Sequence, residues 1–301
     1  MIGNEKGVIL QTPYRNEKKT ENEMCFAACK EMKKTICSLT AGQRKDRYQM
    51  NTLKAQDIAN MIDHSLLNPA FTLDEIKHGC EVAKEYKCIS VCVRPCDVEI
   101  AAEILKGSST RVTTVIGFPH GSNLTETKVF EAEHAIEQGC VEIDVVLNIG
   151  RLLSGDYEYV EKDLKAVVDV AHAKNVLVKV ILENAYLNDE QKIKACEICA
   201  RVGADFTKTS TGYAPGGATI HDLKLMRAHT PATMQVKAAG GVRKLDDALL
   251  VKAVGGTRFG CTRTESMLAD ARAREAAGTL TLPEIHDDTE FASVLAARAA
   301  K

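Results

Sequence analysis

The sequence predicts an α/β protein built as a (β/α)8 barrel. From about residue 58, short apolar runs alternate with longer amphipathic segments. The short runs are rich in Val and Ile and nearly continuous in hydrophobicity, as strands covered on both faces require. Eight such units fall within about 220 residues, which favours closure over the doubly wound open sheet that βα alternation also allows.

In chain order the expected strands are residues 58–64, 89–93, 111–117, 141–147, 177–182, 205–209, 234–239 and 257–260. Segment 124–138 places Leu124, Val129, Ala132 and Ile136 near one face of a helix that Gly139 stops. Segment 157–173 carries Val160, Leu164, Val167, Val168 and Ala171 at helical spacing. Asn188-Asp189-Glu190 supplies a capped start to another helix, and Gly203 ends it. After Gly278 a linker leads to residues 288–300, with Phe291, Val294, Leu295 and Arg298 on one helical face. The expected organisation is an N-terminal extension at 1–52, partly helical or disordered, the barrel at 53–278, and a C-terminal linker and helix at 279–301.

The 301 residues are 45% hydrophobic and 27% charged, an ordinary globular composition. A formal net charge of −2 leaves no electrostatic footprint for nucleic acid. No run approaches the ~18 consecutive apolar residues of a membrane span. Residues 1–52 hold 10 Lys/Arg against 6 Asp/Glu, and the remainder 29 against 35, so a net +4 precedes a net −6. The acids in that first stretch argue against a transit peptide, and its longest apolar run, 24–29, is too short and too late for a secretory leader. The 11 cysteines are odd in number and, without a leader, read as free thiols in a reducing cytoplasm. Neither Cys196-x-x-Cys199 nor the Cys88, Cys92, Cys96 series has a second Cys/His pair at zinc spacing.

In a barrel, chemistry gathers where the strands end. There the unusual residues are Lys208 and Lys237, each inside an apolar strand, on neighbouring strands about 4.8 Å apart. A desolvating wall and a like charge both lower a lysine pKa, and a neutral amine is what carbonyl attack and imine formation need. Asp144 on strand 4 is placed to hold a lysine and shuttle protons, with Glu142 two residues nearer the barrel bottom. Either acid would also serve simply to balance the lysines. Lys179, early in strand 5, reads as structural. Gly240-Gly241-Val242-Arg243 after strand 7 and Gly260 after strand 8, before a helical segment near Thr264, have the placement of a phosphate cradle, which Gly216-Gly217 could complete. His64 and His120 reach the rim, but no nucleophilic triad and no convergent metal-ligand set is recognisable.

Several segments then resemble the deoxyribose-phosphate aldolase family: Ile62-Asp63-His64-Ser65-Leu66-Leu67, Val115-Ile116-Gly117-Phe118-Pro119, Glu142-Ile143-Asp144-Val145-Val146, Glu183, Lys208-Thr209-Ser210-Thr211-Gly212 and Lys237-Ala238-Ala239-Gly240-Gly241-Val242-Arg243. The similarity runs over roughly residues 55–265. It implies a class I, metal-free and cofactor-free aldolase on a TIM barrel, cleaving 2-deoxyribose 5-phosphate reversibly to glyceraldehyde 3-phosphate and acetaldehyde in deoxyribose phosphate catabolism. By the same resemblance Lys208 is the Schiff-base nucleophile, Lys237 depresses its pKa, and Asp144 is the acid/base partner. Gly212, Gly240, Gly241, Arg243, Gly260 and Thr262 hold the phosphate. The sequence departs from the family where a serine pair is common, at Thr262-Arg263, and at Asn68, where Lys is frequent. The expected partners are a small phosphorylated sugar and a second copy of the chain, a dimer first, with no nucleic acid and no membrane. A scaffold that kept the barrel without catalysis, and a Schiff-base aldolase for another phosphorylated sugar, are the rival readings.

Overall fold

A computed structural model of the chain describes residues 52–292. Expectations for residues 1–51, and for Val294, Leu295 and Arg298, fall outside the described residues. In order, the elements are α1 (Ala55–Ala59), β1 (Ile62–Leu66), α2 (Leu73–Glu85), β2 (Ser90–Val93), α3 (Val98–Leu105), β3 (Arg111–Ile116), α4 (Thr125–Glu137), β4 (Glu142–Val146), α5 (Ile149–Leu153) and α6 (Tyr157–His172). They continue with β5 (Leu177–Ile181), α7 (Asp189–Val202), β6 (Phe206–Lys208), α8 (Ile220–Ala228), β7 (Gln235–Ala238), α9 (Leu245–Ala253), β8 (Arg258–Cys261) and α10 (Thr264–Ala276). The eight strands are parallel and close in sequence order, β8 pairing with β1 through Ile62–Phe259 and Asp63–Gly260. This is the (β/α)8 TIM barrel that the alternation predicted.

Local chemistry explains where the helices begin and end. Thr72 caps α2, its hydroxyl accepting from Glu75 N while the Glu75 carboxylate accepts from Thr72 N, and Asn188 with Gln191 repeats the device at α7. Gly203 ends α7 at φ 81, a left-handed position that suits glycine. The α6 stripe is buried as patterned: Val160, Leu164, Val167, Val168 and Ala171 all pack inward.

Two expectations need correction. Residues 58–64 are not one strand: α1 covers Ala55–Ala59, and β1 starts only at Ile62. Ile58 and Ala59 are buried because that short helix packs inward, so burial mimicked a strand. In α4, Leu124 is 67% exposed, and Lys128 takes a fully buried position instead. Lys128 lies under Gly117 and donates to Val146 O at 3.0 Å and Asp163 Oδ2 at 2.6 Å, so a paired cation replaced the apolar contact that periodicity suggested.

The segment after α10 is tied to the barrel. Leu53 N donates to Leu280 O, Leu280 and Phe291 are fully buried, and the Glu290 carboxylate accepts from Ile220 N at the start of α8. Phe291 is buried but precedes residue 292, the first helical one, so among the described residues its burial is not that of a helical face starting at 288.

Candidate active site

Barrels of this kind usually fill their centre with branched aliphatic side chains. Here the centre is charged. Side chains alternate along each strand, so Asp63 (β1), Glu142 and Asp144 (β4), Lys179 (β5), Lys208 (β6), Lys237 (β7) and Arg258 (β8) all turn inward and meet. The register sets Lys208 directly opposite Lys237 and Lys179 opposite Asp144.

Asp144 is the hub. Its Oδ2 accepts from Lys208 Nζ at 2.8 Å and from Lys237 Nζ at 2.7 Å, and its Oδ1 accepts from Lys179 Nζ at 3.0 Å. Two lysines therefore share a single carboxylate oxygen. Lys237 also contacts Asp63 Oδ2, while Arg258 reaches Asp63 Oδ1 at 2.8 Å and Glu142 Oε1 at 3.1 Å. Lys179 lies 2.6 Å from Glu142 Oε2, and Ser90 Oγ donates to Asp63 Oδ1. Among the described residues this set holds four buried cations, Lys179, Lys208, Lys237 and Arg258, against three buried carboxylates, Asp63, Glu142 and Asp144. These seven buried groups sum to zero when one lysine is neutral, and the exposed Arg111 adds a further pairing to Glu142 Oε1 at 2.8 Å.

The surroundings separate the lysines. Burial pulls Lys208 below the ordinary 10.5, and the neighbouring Lys237 charge pulls the same way, against Asp144. Burial also works against the Lys237 cation, but Asp144 and Asp63 outweigh it and hold the pKa above 10.5. Lys179 is likewise raised, by Asp144, Glu142 and Asp63 against burial. For Asp144, burial favours the acid, yet three lysines drive its carboxyl well below 3.8. The amine easiest to deprotonate is Lys208, with one carboxylate partner where Lys237 has two.

Above Lys208 and Lys237 opens a cavity of about 590 Å³. Lys208, Lys237, Asp63 and Cys92 form its charged and thiol-bearing floor. Gly212, Gly240, Gly241, Arg243, Gly260 and Thr262, the six residues expected to hold phosphate, all stand on its wall. Gly212, Gly240 and Gly241 have φ of 92, 73 and 99, conformations in which a side chain would be strained. Gly217 also presses on Gly240: a Cβ on Gly217 would lie 2.5 Å from Gly240 O. Leu67, Asn68, Pro69 and Phe71 from the loop after β1, and Thr211 and Tyr213 from the loop after β6, also line it.

Other residues fall elsewhere. Asp144 is fully buried beneath the lysines and is not on the cavity wall. Lys179, at the middle of β5, is off the cavity wall and bonds Asp144 directly. His64 bonds Thr264 Oγ1 at 2.8 Å, away from the cavity, and burial together with His78 lowers its pKa to about 4. Cys196 and Cys199 are buried in α7, and burial pushes Cys196 up to about 12, so neither is a reactive thiolate. Asp63 and Arg258 were missed in the sequence. Asp63 had a readable signal, a carboxylate inside the 58–64 segment expected as a strand, the same feature that exposed Lys208. Among the described residues, no helix is long and apolar enough to cross a membrane.

Comparison with known proteins points the same way as the geometry. The profile of the DeoC/LacD family aldolases matches residues 57–283. A deoxyribose-phosphate aldolase of Caldanaerobacter subterraneus subsp. tengcongensis is 52% identical over 207 residues, 68% of this chain and 90% of its own. A Clostridium perfringens deoxyribose-phosphate aldolase is 53% identical over 207 residues, 69% and 92% of the two chains. Among solved structures, an aldolase called QR15 superposes with a TM-score of 0.70 at 35% identity, covering 73% of this chain and 98% of its own. The tetrameric deoxyribose phosphate aldolase of Aeropyrum pernix gives a TM-score of 0.69 at 28% identity, covering 77% and 98%.

Proposed function

Since the chain belongs to the DeoC/LacD aldolase family and is an aldehyde-lyase, we propose that it cleaves 2-deoxyribose 5-phosphate reversibly to glyceraldehyde 3-phosphate and acetaldehyde, through a Schiff base on Lys208. The catalytic unit is the barrel at 53–278, and its role is in deoxyribose phosphate catabolism. One observation carries the reading. Two lysines lean on a single Asp144 oxygen at the floor of a cavity walled by glycines and Arg243.

The neutral Lys208 amine attacks the C1 aldehyde carbon of the open-chain sugar. The carbinolamine loses water to give a protonated imine. Loss of the C3 hydroxyl proton then breaks the C2–C3 bond: the O–H pair becomes the π bond of the glyceraldehyde 3-phosphate carbonyl, and the C2–C3 pair becomes the enamine double bond as the iminium π pair moves to nitrogen. Protonation at C2 and hydrolysis release acetaldehyde and regenerate Lys208. Asp144 sits below the cavity wall, so its share of proton transfer passes through the Lys208 and Lys237 protons that it accepts. Lys237 regains its proton after each transfer and, when charged, opposes protonation of Lys208. Gly212, Gly240, Gly241, Arg243, Gly260 and Thr262 hold the phosphate and thereby fix C1 over Lys208.

Reductive trapping tests this. Acetaldehyde with borohydride is expected to leave a covalent adduct that peptide mass mapping places on Lys208, absent in Lys208→Met, with a chelator leaving turnover unchanged. An adduct on Lys179 or Lys237, or inhibition by the chelator, overturns the assignment. Acetaldehyde is the discriminating donor against an aldolase of another sugar.

A further inference from the structure

The mechanism leaves one buried carboxylate beside the site without a task. Glu183 lies two residues past the end of β5 in a left-handed conformation, φ 56 and ψ 62, and is 2% exposed. Residues with side chains rarely occupy that region, so the fold accepts local strain to place this group. The Glu183 carboxylate accepts the Thr211 N–H at 3.3 and 3.2 Å and also the Thr211 hydroxyl proton. The Thr211 hydroxyl oxygen accepts in turn from Tyr213 N at 3.0 Å. On either side of Glu183, Leu182 N donates to Lys208 O and Asn184 N to Thr209 O, both at 2.9 Å, carrying the β5–β6 pairing past its last register pair, Ile181 and Lys208. Among the described residues Glu183 forms no ion pair; burial raises its carboxyl above 4.5, against the two Thr211 bonds and, last, the Lys208 charge.

The charge balance shows what such an anion can do. The seven inward groups sum to zero with Lys208 neutral. Converting Lys208 to an iminium adds one positive charge, and Glu183, next to the residues that bond the backbone of Lys208 and Thr209, is a carboxylate outside that set on which this charge acts. Resting on the Schiff-base reading, we propose that Glu183 is a positioning residue of this site: it commits the Thr211 hydroxyl proton, leaving Thr211 on the cavity wall as an acceptor for a substrate hydroxyl, and it sets its charge against Lys208 as the iminium forms. The other groups bearing on Lys208 are Asp144 from β4, Lys237 from β7 and the Cys92 thiol from β2.

The test compares wild type, Glu183→Gln, Thr211→Val and the double variant, by turnover and by borohydride trapping at Lys208 across pH. A glutamine keeps the length and still accepts the Thr211 N–H, but it is neutral and donates to the hydroxyl instead of accepting from it. The expected result is a kcat lower by about tenfold with little change in KM. Losing an anion near Lys208 lowers its pKa further, so the pH midpoint of trapping moves acidward. The double variant is expected to be no worse than the poorer single one. Glu183→Asp, which keeps the charge, holds the wild-type midpoint and decides the matter should the glutamine variant fail to fold. A glutamine variant with wild-type kcat and an unmoved midpoint, or an aspartate variant whose midpoint moves, overturns the proposal. Wild type giving no adduct at Lys208 would instead defeat the Schiff-base reading on which it rests.

Discussion

Lys208 and Lys237 carry the same chemistry in the same cavity, and their partners separate them. Lys208 has one carboxylate, Asp144, and shares its oxygen; Lys237 has Asp144 and Asp63. The pKa of Lys208 accordingly falls and that of Lys237 rises. Activity in this reading requires a neutral Lys208, so the acid limb of the pH profile follows its pKa. Lys237→Leu removes the like charge that helps to hold that pKa down. The expected outcome is a rate lower by roughly 10²-fold or more, with the acid limb displaced to higher pH. A full pH–kcat/KM profile checks this, and an unmoved limb contradicts it.

At the level of elements, the site depends on loops that pack backbone against backbone. The loop after β6 docks on the loop after β7, Ala218 N donating to Ala239 O and Gly240 O at 2.9 Å. No room remains between Gly217 and Gly240, where a Cβ would meet backbone atoms at 2.5 and 2.6 Å. Backbone cannot swing aside as a side-chain end can, so Gly217→Ala must displace the Gly240 loop. Gly240, Gly241 and Arg243 then lose their place on the cavity wall. The expected effect is a KM for 2-deoxyribose 5-phosphate raised by about tenfold, with trapping of acetaldehyde at Lys208 little changed. Steady-state kinetics beside single-turnover trapping measure both, and an equal loss in the two assays would place the defect at Lys208 instead.

For the molecule as a whole, the charged centre has a consequence for stability. A lysine whose folded pKa lies below its unfolded 10.5 opposes folding at every pH below 10.5, because the unfolded chain binds its proton more tightly. The cost is full below the folded pKa, shrinks as pH rises from there towards 10.5, and is gone above it. Lys208 therefore burdens the fold at pH 7, a common trade at catalytic positions. Lys208→Met keeps similar volume and leaves three buried cations against three carboxylates, with Asp144 still holding Lys179 and Lys237. The inactive variant is expected to be more stable by about 1–2 kcal/mol. Urea unfolding at pH 7 checks the direction, and a destabilised variant would mean that the Lys208–Asp144 bond outweighs the cost of neutralising the amine.

Much of this was legible in the sequence because local pattern and covalent order are enough for it. Alternation of apolar runs with amphipathic segments yields a parallel α/β barrel. A strand charged where it should be apolar marks Lys208, Lys237 and Asp144, and glycines after the last strands mark the cradle. Burial alone does not separate a strand from a helix turn, so Ile58 and Ala59 read wrongly, and a hydrophobic period cannot foresee that Lys128 displaces Leu124 once Asp163 pairs with it. Only closure of the barrel decided which charges meet. Asp63 and Arg258 lie 195 positions apart and join because β1 pairs with β8, and Lys237 reaches Asp144 across 93 positions. Protonation is set by those distances and by the exclusion of water, which belong to the folded chain and are written in no local stretch of it.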